Sequence, residues 1–182
     1  MPVMRPETQP LLETDRRNLI AAVERVNEAD RDRRPSDDRW SVAEILEHLV
    51  GVEHAVVKLL TLRGREPIPP DQEPAPPDSA ARVATLRVRS RRINVPEALT
   101  PKATMTTDAA VQALGKSRAA LLEAARAADP VALEQRTYHH AVVGRLTLND
   151  WLAFVAHHEA RHTAQIDEIE EAFRLQRSRA DD

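Results

Sequence analysis

The chain has 182 residues, 42% of them apolar, a formal charge of -3 and no cysteine. That suffices for one domain with a real core and leaves too little for a second, and the balanced charge gives no electrostatic case for a nucleic-acid partner. Without cysteine there is neither a disulfide framework nor a thiolate ligand, so any metal must be held by nitrogen or oxygen.

The N-terminal MPVMRPETQPLLETD carries no long apolar run, and eighteen consecutive apolar residues occur nowhere. The expectation is a cytoplasmic protein with no signal peptide and no membrane partner. Few glycines, abundant Ala and Leu and little β-branched alternation favour an all-α fold. A first helix is predicted from about Thr14 through DRRNLIAAVERVNEAD, with Leu19, Ile20, Val23 and Val26 as its stripe and Arg33, Arg34 and Pro35 ending it. The second opens at Trp40-Ser41, where Ser41 and Glu44 have capping-box spacing and Trp40 can staple onto Ile45. Val42, Ile45, Leu49, Val52, Val56 and Leu59 then recur in steps of three and four, as on a bundle helix.

Residues 67–78, PIPPDQEPAPPD, hold six prolines and form a long crossover. A short helix is expected over about Ala80 to Asn94, followed by a turn with Pro96 and Pro101. Thr107 reads as the cap of the next long helix, with Val111, Leu114, Leu121 and Leu122 inward and an end before Asp129-Pro130. TYHHAVVGR reads as a loop into the last helix, which opens on a second capping-box pair, Thr147 and Asp150, with Leu146 stapled onto Trp151. The sum is a four-helix bundle, one domain over 1–182, with an additional short helix and flexible tails at 1–10 and 177–182.

In the last helix the inward seam reads Leu148, Trp151, Val155, His158, His162, Gln165 and Ile169, and its middle is polar. Buried polar groups cost free energy unless partnered, so the interruption needs a cause. Residues four apart share a helix face, so His158 and His162 can aim at a common point. A third ligand must come from another element, because metal–nitrogen bonds span only about 2.0–2.1 Å. His48, at the border of the second helix's stripe, is the best candidate. Three neutral imidazoles would leave the ion's charge intact and a position open for a thiolate or water. An all-nitrogen set does not choose among zinc, nickel, iron and manganese.

The strings WSVAEILEHL (40–49), GRLTLNDW (144–151) and HEARHTAQI (158–166) together resemble the DinB/YfiT-like metalloenzyme superfamily, the DinB-like domain. The resemblance implies a four-helix bundle in which His48, His158 and His162 bind one divalent metal ion. It further implies a homodimer and, as in some members, transfer chemistry with a low-molecular-weight thiol as co-substrate. His140 and Gly144 partly match a His and a Gly that the family carries ahead of this helix, but Ala141 stands where the family has proline.

The remaining candidates carry competing readings. His54 and His157 face away from the seam and read as ordinary, and His139 and His140 lie in the loop before the last helix. Gln165 can hydrogen-bond a ligand imidazole from behind and fix its tautomer, or bridge two helices; His140 is the other candidate for such a supporting contact. Glu159 and Arg161 read as a solvated ion pair. No general base is assigned, since Glu44, Glu47 and Glu159 all have structural readings. Arg82, Arg87, Arg89, Arg91 and Arg92 form a strip without aromatic neighbours, read as a charged outer face rather than a nucleic-acid surface.

The expectation is a metal-dependent enzyme acting on a small-molecule substrate, its zinc or nickel site near one end of the bundle and thiol S-transfer ranked ahead of hydrolysis. The alternative is a noncatalytic metal-binding or dimeric, structural or stress-related bundle.

Overall fold

The computed structural model describes residues 4–89, 93 and 95–180, so Arg91, Arg92 and Asn94 lie outside the described residues. Four long helices carry the fold: α1 (Thr8–Arg25), α3 (Val42–Arg63), α5 (Thr107–Ala127) and α7 (Leu148–Ala180). Between them come the short helices α2 (Glu28–Arg31), α4 (Ser79–Thr85) and α6 (Pro130–Gln135) and a two-stranded hairpin, β1 (Thr137–His140) with β2 (Gly144–Thr147). α3 packs along α5, α1 along α7, and α3 against α7 joins the two pairs into a four-helix bundle.

Both helix starts expected from capping chemistry are present. The Ser41 hydroxyl accepts from the Glu44 N–H while Glu44 accepts from the Ser41 N–H. At α7 the Thr147 hydroxyl accepts from the Asp150 N–H at 3.0 Å, and Asp150 accepts from the Thr147 N–H at 3.1 Å. Asp150 is fully buried and also accepts from the Ser79 hydroxyl and the Arg5 guanidinium. The start of α7 is thereby tied to α4 and to the chain ahead of α1.

Several boundaries differ from the sequence reading. α1 starts at Thr8, because Leu12 also belongs to the buried stripe, and the helical segments 8–10 and 177–180 fall where tails were expected. It ends at Arg25, and the extended Asn27 caps α2 separately. The helix expected over 80–94 is α-helical only for Ser79–Thr85. Thr106, one residue before the expected cap, accepts from the Ala109 N–H, while Thr107 is turned onto Asp32. Asp129-Pro130 opens α6, with the Asp129 carboxylate accepting from the Val131 and Ala132 N–H groups and Pro130 needing no donor. The segment expected as a loop is the hairpin, whose three-residue turn 141–143 closes on Gly144 at φ 83°, a left-handed conformation that glycine adopts without strain.

The interior holds two apolar clusters. One gathers Leu12, Val52, Val56, Leu121, Leu148, Leu152 and Val155; the other Leu19, Ile45, Leu49, Leu114, Ile166, Ile169 and Phe173. Between them lies a polar layer with one contribution from each bundle helix. Arg16 of α1 and Arg118 of α5 both bond Glu53 of α3 and Glu159 of α7, and the Ser117 hydroxyl donates to Glu53. The two guanidinium groups also cap the Leu114 and Leu12 carbonyls. Two positive and two negative groups, each hydrogen-bonded more than once although Glu159 Oε2 has no partner, make the layer tolerable in an apolar core.

This layer corrects the seam of α7. Its buried residues step by four and three as Leu148, Leu152, Val155, Glu159, His162, Ile166, Ile169 and Phe173, so Glu159 is a core position and not half of a solvated pair. Trp151, His158 and Gln165 form the neighbouring, half-buried stripe. Arg161 is buried as well and donates to the Val88 carbonyl. No helix among the described residues is long and apolar enough to cross a membrane.

Candidate metal centre

α3 and α7 bring three imidazoles together, with His158 next to Glu159 of the polar layer. His48 and His162 are buried and His158 half-buried. One nitrogen of each ring lies within 4.8 Å of the other two, and no further His, Cys, Asp or Glu joins this group among the described residues. His158 Nε2 and His162 Nε2 are 3.2 Å apart. Two nitrogens bound at about 2.0–2.1 Å and a tetrahedral angle would be separated by about 3.3 Å.

Partners behind two of the rings set their tautomers, whereas His158 Nδ1 is buried without a hydrogen-bond partner. His48 Nδ1 donates to the Leu99 carbonyl at 2.8 Å, which leaves its Nε2, buried and without a hydrogen-bond partner, for the centre of the group. The Gln165 side-chain oxygen receives Arg89 Nη1 at 3.3 Å and therefore accepts from His162 Nδ1 at 2.9 Å. His162 Nε2 then carries a lone pair that faces His158 Nε2, the tautomer a metal ligand needs. Burial is the chief reason that the His48 pKa lies below the ordinary 6.5 and those of His158 and His162 well below it. Mutual repulsion and Arg161 push His158 and His162 further the same way. All three rings are neutral at neutral pH, so the donor set suits a divalent cation.

The three rings open onto a cavity of about 740 Å³. Val52, Val56, Leu59, Leu86, Trp151 and Phe154 supply apolar walls, and Arg39, Arg89 and Arg161 supply charge. Glu168 accepts from Arg39 at 3.1 Å and from Arg89 at 2.8 Å, tying the chain before α3 and the chain after α4 to α7. The other described members of the basic strip are also paired, Arg82 with Asp78 and Arg87 with Asp15.

A model of the DinB superfamily matches residues 11–166. The chain belongs to the DinB superfamily. An uncharacterized protein, YuaE of Bacillus subtilis (strain 168), is 28% identical to this DinB protein over 138 residues, covering 76% of this chain and 82% of YuaE. Among solved structures, the crystal structure of TT2238, a four-helix bundle protein, superposes with a TM-score of 0.58 at 21% identity, over 89% of this chain and 97% of that one. At that identity the likeness speaks for the bundle fold alone.

The other histidines of the DinB protein separate clearly. His54 is exposed, and His157 receives Arg87 Nη1 at 3.1 Å on the side of α7 facing Asp15. His139 is exposed on β1. His140 is half-buried; its Nδ1 accepts from the hairpin-turn amides of Val142 and Val143, so it bonds the turn and not an imidazole of the group. Its ring packs on Trp151 and Phe154, and burial lowers its pKa. Sequence reasoning missed the Leu99 carbonyl behind His48, because a backbone acceptor has no residue signature. It also missed Glu53, whose polarity needs Arg16 and Arg118 from other helices to make sense.

Proposed function

We propose that this DinB protein is a divalent-metal-dependent enzyme in which His48, His158 and His162 hold the ion through Nε2, and that it transfers a small thiol onto an electrophilic substrate. The observation that carries this reading is three convergent, neutral imidazoles with no fourth protein ligand among the described residues, facing a cavity large enough for a small molecule. A structural ion would be closed by protein on all sides. Held by three neutral ligands, a zinc or nickel ion supplies Lewis acidity toward whatever the cavity delivers to its open side.

The chain's residues favour transfer over hydrolysis. Glu44 is spent on the cap and on Arg34, Glu47 on Thr104, and Glu159 on the buried layer. Among the described residues, Asp38 is the single carboxylate lining the cavity. An ion held by three neutral imidazoles lowers the pKa of bound water from about 15.7 to about 7, but hydrolysis still calls for a positioned base to move a proton to the leaving group. A thiol, with an ordinary pKa of about 8.5, ionises without one. The apolar walls give a thiolate surroundings less polar than bulk water.

The test is to load the protein with zinc or nickel and offer cysteine or glutathione with aryl-halide and conjugated-carbonyl electrophiles. Thiol consumption above the uncatalysed rate, abolished by chelator and by His158→Ala, is expected. Background rates with every pair would overturn the transfer reading, and turnover of esters or amides instead would replace it with hydrolysis.

A further inference from the structure

The wall beside the three histidines is made of rings. Of the two Trp, two Phe and one Tyr in the chain, both Trp, Tyr138 and Phe154 line this cavity, and Phe173 alone lies elsewhere. Phe154 packs on His158 with ring centroids 5.1 Å apart, on His140 at 4.8 Å and on Trp151 at 5.5 Å. In a chain with so few aromatic residues, this concentration gives one cavity a broad, polarisable surface suited to a flat partner.

His140 adds a directed polar group to that wall. Its Nδ1 accepts from Val142 N–H at 3.1 Å and from Val143 N–H at 3.4 Å. A nitrogen that accepts carries no proton, so the neutral ring bears its hydrogen on Nε2, on the edge away from the turn. The hairpin thus presents a fixed N–H donor where His140 lines the cavity. A ring protonated at Nε2 donates and does not ligate a metal, in keeping with its place outside the three-histidine group.

We infer that His140 contacts substrate as a hydrogen-bond donor, and that the ligand is a small planar molecule presenting a carbonyl oxygen to His140 Nε2–H and a conjugated or aromatic face to Trp151 and Phe154. This rests on reading the cavity as the substrate site. The hairpin then acts as a specificity element, since its turn amides set the tautomer and its strands place the ring.

Two probes test it. Calorimetry on the zinc-loaded protein should show benzohydroxamate binding about tenfold more tightly than acetohydroxamate. His140→Asn keeps an acceptor for the amide two residues on, as in an Asx turn, but its own N–H donor stops one bond short of the place of His140 Nε2. It should weaken benzohydroxamate about three- to tenfold at unchanged zinc content. Equal affinity in wild type and His140→Asn, or no preference for the aromatic hydroxamate, overturns the inference.

A second readout does not need the metal. Long-range 15N correlation spectra of the zinc-free protein should show His140 protonated at Nε2, with that resonance shifting on addition of benzamide. An Nδ1-protonated ring, or no shift, overturns the inference whether or not zinc binds, whereas failure of zinc to bind with the shift present overturns only the metal reading.

Discussion

At the scale of single residues, the site depends on neutral imidazoles, and those of His48 and His162 have their lone pairs aimed by groups behind them. Gln165 accepts from His162 Nδ1, so Gln165→Ala frees the ring to take the other tautomer, and metal affinity should fall about 10- to 100-fold in a competition titration against a chelator. Affinity equal to wild type would mean that Gln165 serves as a bridge to Arg89 alone. The same three rings set a pH dependence. Their folded-state pKa values lie below the ordinary 6.5, chiefly through burial. Between the folded and unfolded values the unfolded chain binds more protons, so stability contributed above about pH 6.5 is lost as pH falls toward the folded pKa values. The Tm of the metal-free protein should therefore drop from pH 7 to pH 5, and drop less in the His158→Ala, His162→Ala variant. Parallel losses in the two proteins would assign the acid sensitivity to other groups.

At the scale of elements, α7 is anchored by its cap, and the two cap residues should differ in cost. Thr147→Ala removes one cap acceptor and should cost about 1 kcal/mol in denaturant unfolding. Asp150→Ala strands the Thr147 N–H, the Ser79 hydroxyl and Arg5 together, and should cost about 3 kcal/mol or more. Similar losses for both would show that the links to α4 and to Arg5 add nothing. Both caps could be read from the sequence because a capping box lies within four residues. The H-x3-H pair was equally legible, since four residues make one helical turn. The hairpin was not, because four-residue strands flank a turn that reads as a loop until His139 and His140 are seen to pair with Arg145 and Gly144. Nor was the shift of the α7 seam onto Glu159: from one helix alone, a polar residue at a core position looks solvated, and its partners arrive from α1 and α5.

At the scale of the whole molecule, a single polar layer divides the core, and the three histidines sit beside it. Glu159→Ala leaves Arg16 and Arg118 buried with half their countercharge and should cost about 3–5 kcal/mol, with a drop in unfolding midpoint to match. A loss below about 1 kcal/mol would show that the layer relaxes into solvent. His158 precedes Glu159 on α7, so the layer fixes the helix that carries two of the three imidazoles while those rings turn toward the cavity. The central claim is that His48, His158 and His162 make one divalent-metal site. It is tested most directly by the metal content of purified protein, wild type against His158→Ala, His162→Ala, after equal loading with zinc or nickel and exhaustive dialysis. One ion per wild-type chain and close to none in the variant is the predicted result; equal metal in both would contradict it.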